Sequence, residues 1–76
     1  MIEVKLPDLA EGVTSATLSM WHYSEGDSVR KGEDLVELVT DKATFNLPSP
    51  ASGRIKKVMF NEGDTVNVGD CLVVIE

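Results

Sequence analysis

The apolar residues of this chain come in short bursts, "IEV", "ATLSMW", "LVELV", "TFNL", "RIKKVMF" and "CLVVI", each closed within a few positions by Gly, Asp or Pro. Gly supplies backbone conformations with positive φ and Asp bonds its own neighbouring backbone, so these breaks are turns. The bursts are rich in Val and Thr, which suit a pleated surface. One segment competes: over 33 to 47, Leu35, Leu38 and Val39 have helical spacing. Its counterpart later in the chain is the short run "CLVVI", which is too brief for a helix, so the segment reads as strand. The pattern predicts strands near 2–6, 16–23, 35–40, 44–48, 53–60 and 71–76, with short pieces at 28–29 and 65–66. That is an all-β barrel or sandwich. Pro48 and Pro50 in "PSP" lack the N–H a ladder needs, so the strand reaching them stops and turns, and the chain re-enters at Gly53.

That counterpart belongs to an internal repeat. Residues 25 to 38, "EGDSVRKGEDLVEL", align without a gap on residues 62 to 75, "EGDTVNVGDCLVVI". Carried backwards, the same register sets Leu18 against Ile55 and Tyr23 against Phe60. The expectation is two similar halves, 2–38 and 39–75, with Gly26 and Gly63, and Gly32 and Gly69, at equivalent turns of matched φ.

Composition narrows the function. Seventy-six residues form one small domain without room for a deep catalytic pocket. The single cysteine, Cys71, cannot form an intrachain disulfide, which favours a reducing compartment. No apolar run approaches the roughly 20 residues of a membrane span, and "MIEV" lacks the basic and apolar regions of a leader, so the chain reads as cytoplasmic. A net charge of −6 would repel nucleic acid and an anionic membrane surface alike. His22 has no nucleophile or second histidine in a suitable pattern, and reads as a strand residue. Cys71 reads as a small buried hydrophobe, and Arg54, Lys56 and Lys57 as a solvated face.

Between "LVELV" and "TFNL" only Thr40, Asp41, Lys42 and Ala43 remain to reverse the chain. Lys42 therefore falls at the tip of a tight hairpin with its side chain in solvent. For an isolated lysine that position means one more surface charge. A nucleophilic lysine needs burial or a cationic neighbour to lower its pKa, and a tip lysine beside Asp41 has neither. An exposed amine on a rigid hairpin is instead suited to accept a modification carrying a long flexible arm.

"LPDLAEG" at 6 to 12, the two "EGD-[ST]-V" turns, "DKA" at 41 to 43, "PSP" at 48 to 50 and Gly53 together resemble the lipoyl domains of dihydrolipoamide acyltransferase components of 2-oxo acid dehydrogenase complexes. The resemblance covers the whole chain, 1–76. It implies a flattened barrel, or barrel-sandwich hybrid, of two four-stranded antiparallel sheets with internal pseudo-twofold symmetry and the modified lysine at one end. Lys42 aligns with the lysine that carries lipoic acid in amide linkage, and Asp41 and Ala43 with its usual flanks. Val39 stands where many members have Glu, and Asn46 where they have an acid; both bear on partner and ligase preference. The loop "DLAEGVTS", 8 to 15, lies outside the best part of the repeat, which leaves it free to vary for recognition. By resemblance it lies close to the modified lysine, so that Asp8, Glu11, Thr14 and Ser15 would face a partner.

The function implied is shuttling. A thiamine-diphosphate dehydrogenase component reductively acylates the lipoyl group, the acyltransferase catalytic domain passes the acyl group to coenzyme A, and a flavoprotein, dihydrolipoamide dehydrogenase, reoxidises the dithiol. A lipoate ligase or lipoyl transferase would install the group. The domain itself is expected to be a monomeric, non-catalytic carrier in the cytoplasm, or in the mitochondrial matrix of a eukaryote. Two alternatives are weighed against this. A biotin carboxyl carrier domain shares the fold, but typically places its lysine between methionines, whereas Asp41 and Ala43 flank Lys42. An unmodified binding module of the same barrel type would leave Lys42 incidental.

Overall fold

The computed structural model describes residues 1–76 as eight strands with no helix. They are β1 (Ile2–Lys5), β2 (Ser15–Trp21), β3 (Ser28–Val29), β4 (Asp34–Val39), β5 (Thr44–Pro48), β6 (Gly53–Val58), β7 (Thr65–Asn67) and β8 (Cys71–Ile75). Two four-stranded sheets form, ordered β1-β8-β6-β3 and β5-β4-β2-β7, with every pairing antiparallel. Adding four to each strand number converts the first order into the second, modulo eight. That is an internal twofold, as the repeat requires.

The repeated residues show why. In each "EGD" turn the glycine has positive φ, 93° at Gly26 and 94° at Gly63, and donates its N–H across to the other half: Gly26 to the Ile55 carbonyl and Gly63 to the Leu18 carbonyl, both at 2.8 Å. The aspartate closes its own turn, Asp27 accepting from the Ser24 N–H and Asp64 from the Asn61 N–H, each at 2.8 Å. The glutamate reaches the opposite strand. Glu62 accepts the Trp21 N–H at 3.1 Å and Glu25 accepts the Val58 N–H at 2.9 Å. Those carboxylates take the N–H groups at the ends of β2 and β6, and both strands stop there, two residues short of the expected 23 and 60. His22 accordingly lies just past β2, and Cys71 is half-buried rather than buried. Gly32 and Gly69, at φ 92° and 94°, repeat the matching in the next turn.

Irregularities are repeated too. Leu18 pairs with Leu38 and Met20 with Glu37, so Ser19 is an extra residue in β2; Ile55 pairs with Ile75 and Lys57 with Val74, so Lys56 is its twin in β6. Leu35 and Leu72 are extra residues in β4 and β8 in the same way. A bulge resets the in-and-out alternation, which is why Leu35-Val36 and Leu72-Val73 are both buried although adjacent. It also produced the helix-like spacing at 33 to 47.

The core between the sheets is built from symmetry mates: Leu18 with Ile55, Val29 with Val66, Leu35 with Leu72, Val36 with Val73 and Leu38 with Ile75, all buried. The halves are not, however, 2–38 and 39–75. Strand β1 matches β5, not residues 39 to 42, because Val4 faces Val73 as Leu47 faces Val36. The offset there is 43 rather than 37, the difference being taken up by a longer connection from β1 to β2. Leu6 and Ser49 obey the larger offset: Gly69 donates to the Leu6 carbonyl and Gly32 to the Ser49 carbonyl, both at 2.8 Å. Ser49 is buried between the two prolines and donates its hydroxyl to the Ala51 carbonyl at 2.6 Å. Gly53 is needed for close approach, since a Cβ there would collide with the Glu76 carbonyl oxygen.

Candidate functional site

Val39 and Thr44 are the last facing pair of β4 and β5, leaving Thr40 to Ala43 as the hairpin tip. None of these four has positive φ, so the tip is not a primed two-residue turn. Thr40 organises it. Its N–H donates to the Ala43 carbonyl at 2.9 Å, and its hydroxyl donates to the same carbonyl at 3.0 Å. The hydroxyl oxygen also accepts from the Lys42 N–H at 3.2 Å and the Ala43 N–H at 3.1 Å. A side chain thus replaces the backbone bond that would otherwise close the turn. Thr40 was missed in the sequence, although a Thr opening a four-residue reversal is the signal of such a motif.

Asp41, Lys42 and Ala43 are all exposed. The Lys42 ammonium makes one contact, donating to the backbone carbonyl of Glu11 at 3.2 Å. The connection between β1 and β2 therefore lies against the tip. Leu9 packs on the core and Val13 is buried, so this loop has an anchored base. The Thr14 carbonyl accepts the Val68 N–H at 3.0 Å, and Ser15 begins β2 opposite Asn67. Asp8 and Glu11 have exposed side chains.

Of the residues assigned to recognition, the structure brings Glu11 to Lys42 through its backbone. Val39, 37% exposed, stands at the base of the tip. Asn46 is exposed further down β5 and directs its amide oxygen toward the His22 ring at 3.4 Å rather than toward the tip. Beside the tip, Ala16, Thr17, Val39, Asp41 and Thr65 edge an open groove of about 490 Å³, with no enclosed cavity around the amine. No three His, Cys, Asp or Glu side chains gather to hold a metal ion. An amine acylated at Nζ would project its substituent into solvent from a braced base, which fits an arm joined there.

Residues 2–75 match the family model for biotin and lipoyl attachment, described as "Biotin-requiring enzyme". Over 75 residues the chain is 47% identical to the dihydrolipoyllysine-residue succinyltransferase component of the 2-oxoglutarate dehydrogenase complex of Staphylococcus saprophyticus, covering 99% of this chain and 18% of that one. The chain thus spans under a fifth of that relative's length. Among solved structures, the lipoyl domain of the 2-oxoglutarate dehydrogenase complex from Azotobacter vinelandii superposes with a TM-score of 0.80 at 33% identity, covering 100% of this chain and 96% of that one. A single-chain, multi-domain long-chain acyl-CoA carboxylase matches with a TM-score of 0.75 at 27% identity, over 93% of this chain and 7% of that one.

Proposed function

This chain is a lipoyl domain of the biotin/lipoyl-attachment family, and from that premise we propose that Lys42 bears lipoic acid in amide linkage and serves the acyltransferase subunit of a 2-oxo acid dehydrogenase complex. The observation that carries the reading is the exposed Lys42 amine at the Thr40-braced tip, in a chain matched to the family from end to end. When bound, lipoic acid supplies a disulfide that is reduced and acylated, and that chemistry belongs to the cofactor. The barrel contributes an address and a rigid base. Acylation of Nζ removes one positive charge, taking the domain from −6 to −7 and leaving Asp41 unopposed beside the arm.

In this reading the domain catalyses nothing itself and acts as a monomer. Its partners are the thiamine-diphosphate dehydrogenase component, the acyltransferase catalytic domain, dihydrolipoamide dehydrogenase and the enzyme that installs lipoate. The recognition surface comprises Asp41, Ala43, Val39 and the loop carrying Asp8, Glu11, Thr14 and Ser15, with Asn46 at its margin. The lone half-buried Cys71 suits a reducing compartment, the cytoplasm or the mitochondrial matrix. Biotin attachment shares the family model and the barrel, but the residues flanking Lys42, Asp41 and Ala43, favour lipoate.

A carrier domain is a substrate through its surface as well as its arm, because binding remote from the reacting atoms positions them. Reductive acylation by a dehydrogenase component should therefore be faster for the lipoylated domain than for free lipoamide or a lipoylated peptide "ELVTDKATFNL", by orders of magnitude in kcat/KM. A peptide as good as the domain would reduce the barrel to a mere support.

A further inference from the structure

The loop from Leu6 to Thr14 has no counterpart of equal length in the other half, and Gly12 is the one positive-φ glycine without a symmetry mate. The Val13 N–H donates to the Ala10 carbonyl at 3.1 Å, which closes a four-residue turn with Glu11 and Gly12 at its centre. Gly12 has φ 79°, while Glu11, like every other non-glycine residue, does not have positive φ. That combination is a type II turn. Type I and type II turns differ mainly in the orientation of the central peptide, rotated by roughly 150° through ψ of the second residue. The carbonyl of that peptide belongs to Glu11. In the type II form it receives the Lys42 ammonium at 3.2 Å. Side-chain crowding does not require Gly12, since a Cβ there would meet Lys42 Nζ at an ordinary 3.6 Å; the turn type does.

An ammonium has three N–H groups and an acylated lysine nitrogen keeps one. One donor is what a single fixed carbonyl needs, and the pairing survives the loss of charge because amide N–H to carbonyl is the ordinary backbone bond. The base of the loop is held by buried Val13, half-buried Leu9 and the Val68 N–H to Thr14 carbonyl bond, so the acceptor is placed before any partner arrives. Resting on the assignment of lipoate to Lys42, we propose that the backbone carbonyl of Glu11 is a positioning acceptor for the lipoyl amide N–H, aimed by the Gly12 type II turn. The arm then pivots beyond Nζ rather than from the Lys42 Cα, and it leaves the barrel over the recognition loop.

The test uses the lipoylated domain labelled with 15N in lysine. Intact mass is read first; absence of the lipoyl group on Lys42 overturns the functional assignment together with this inference. In the lipoylated domain, the Nζ amide proton should exchange with solvent about 3–10 times more slowly than in the lipoylated peptide "ELVTDKATFNL", as for one modest exposed hydrogen bond. Gly12→Ala, which favours the type I turn, should return exchange to the peptide rate. Glu11→Ala removes the carboxylate but keeps the carbonyl, so it should leave the protection in place. Exchange at the peptide rate in the unaltered lipoylated domain would overturn the anchor while leaving the carrier assignment standing, whether or not Gly12→Ala folds. Protection lost in Glu11→Ala and retained in a folded Gly12→Ala would overturn it as well.

Discussion

The connections from β1 to β2 and from β5 to β6 occupy equivalent places in the two halves, yet the first runs over Leu6 to Thr14 and the second over Ser49 to Ser52. The short one does only structural work: Pro48 and Pro50 end the ladder, Ser49 turns inward and bonds Ala51, and Gly53 re-enters against the Glu76 backbone. The long one begins with the same kind of contact, Leu6 taking the place of Ser49, and then adds a turn that reaches the Lys42 amine. Elsewhere the halves agree in their glycine φ values, their bulges, their core pairs and their cross-half hydrogen bonds. The lesson is a division of labour. The packed core is built from what the halves share, and the exposed lysine and the loop that meets it lie where they differ.

The sharpest way to test the shared part is to damage its twins separately. Leu35→Ala and Leu72→Ala each empty a fully buried site at a bulge, and each should cost about 2–5 kcal/mol in chemical denaturation. The two losses should lie close together. A domain that tolerates one and unfolds with the other would break the equivalence.

The next pair opposes Gly53 to its mate, Ala16. Gly53→Ala drives a Cβ into the Glu76 carbonyl oxygen and to 2.8 Å from Ile75 Cγ2, and should destabilise by about 1–3 kcal/mol. Ala16→Gly adds chain entropy and loses a methyl in a strand, for about 0.5–1 kcal/mol. A loss for Gly53→Ala no larger than that for Ala16→Gly would mean that the Glu76 backbone does not crowd position 53.

On the functional side, replacing residues 8–15 with the loop of another lipoyl domain should leave folding and lipoylation intact. Reductive acylation should fall by about tenfold or more in kcat/KM, equivalent to about 1.4 kcal/mol of transition-state positioning. An unchanged rate would remove the loop from recognition.

The smallest effect concerns Tyr23, whose mate is Phe60. Partial desolvation, and next the Glu33 carboxylate, hold the Tyr23 phenol above its ordinary value of 10. Folding thus favours the protonated phenol. Its contribution is complete below about pH 10, where the unfolded phenol is also protonated, and is lost as pH rises from there through the folded value. Tyr23→Phe, which makes the position match Phe60, should leave stability near neutral pH almost unchanged and flatten the decline above pH 10 in denaturation curves.

Much of this was legible in the sequence because the repeat writes the same chemistry twice. Each "EGD" states its turn, and the aligned apolar positions became the core pairs, whereas the cross-half bond of its glycine and the strand cap of its glutamate depend on geometry that residue types leave open. The relation of β1 to β5 was hidden, since it follows an offset of 43 that Val4 with Leu47 and Pro7 with Pro50 betray only faintly. The bulges at Leu35 and Leu72 broke the alternation and imitated a helix. At the site, the tip position of Lys42 followed from the four residues available for the reversal. The parts played by Thr40 and by the Glu11 carbonyl did not, because a hydroxyl replacing a backbone bond and a peptide turned by a glycine are matters of geometry that residue types alone leave open.

Everything proposed for this domain depends on the exposed amine at the tip of its asymmetric end being the attachment point. Intact mass followed by peptide mapping, after expression with lipoate and a lipoate ligase, tests it most directly. One lipoyl group should be found, located on Lys42, and none in Lys42→Ala, with denaturation unchanged to within about 0.5 kcal/mol, as for an exposed surface residue. A lipoyl group on Lys5, Lys31, Lys56 or Lys57, a biotinyl group in its place, or no modification of a folded domain would contradict it.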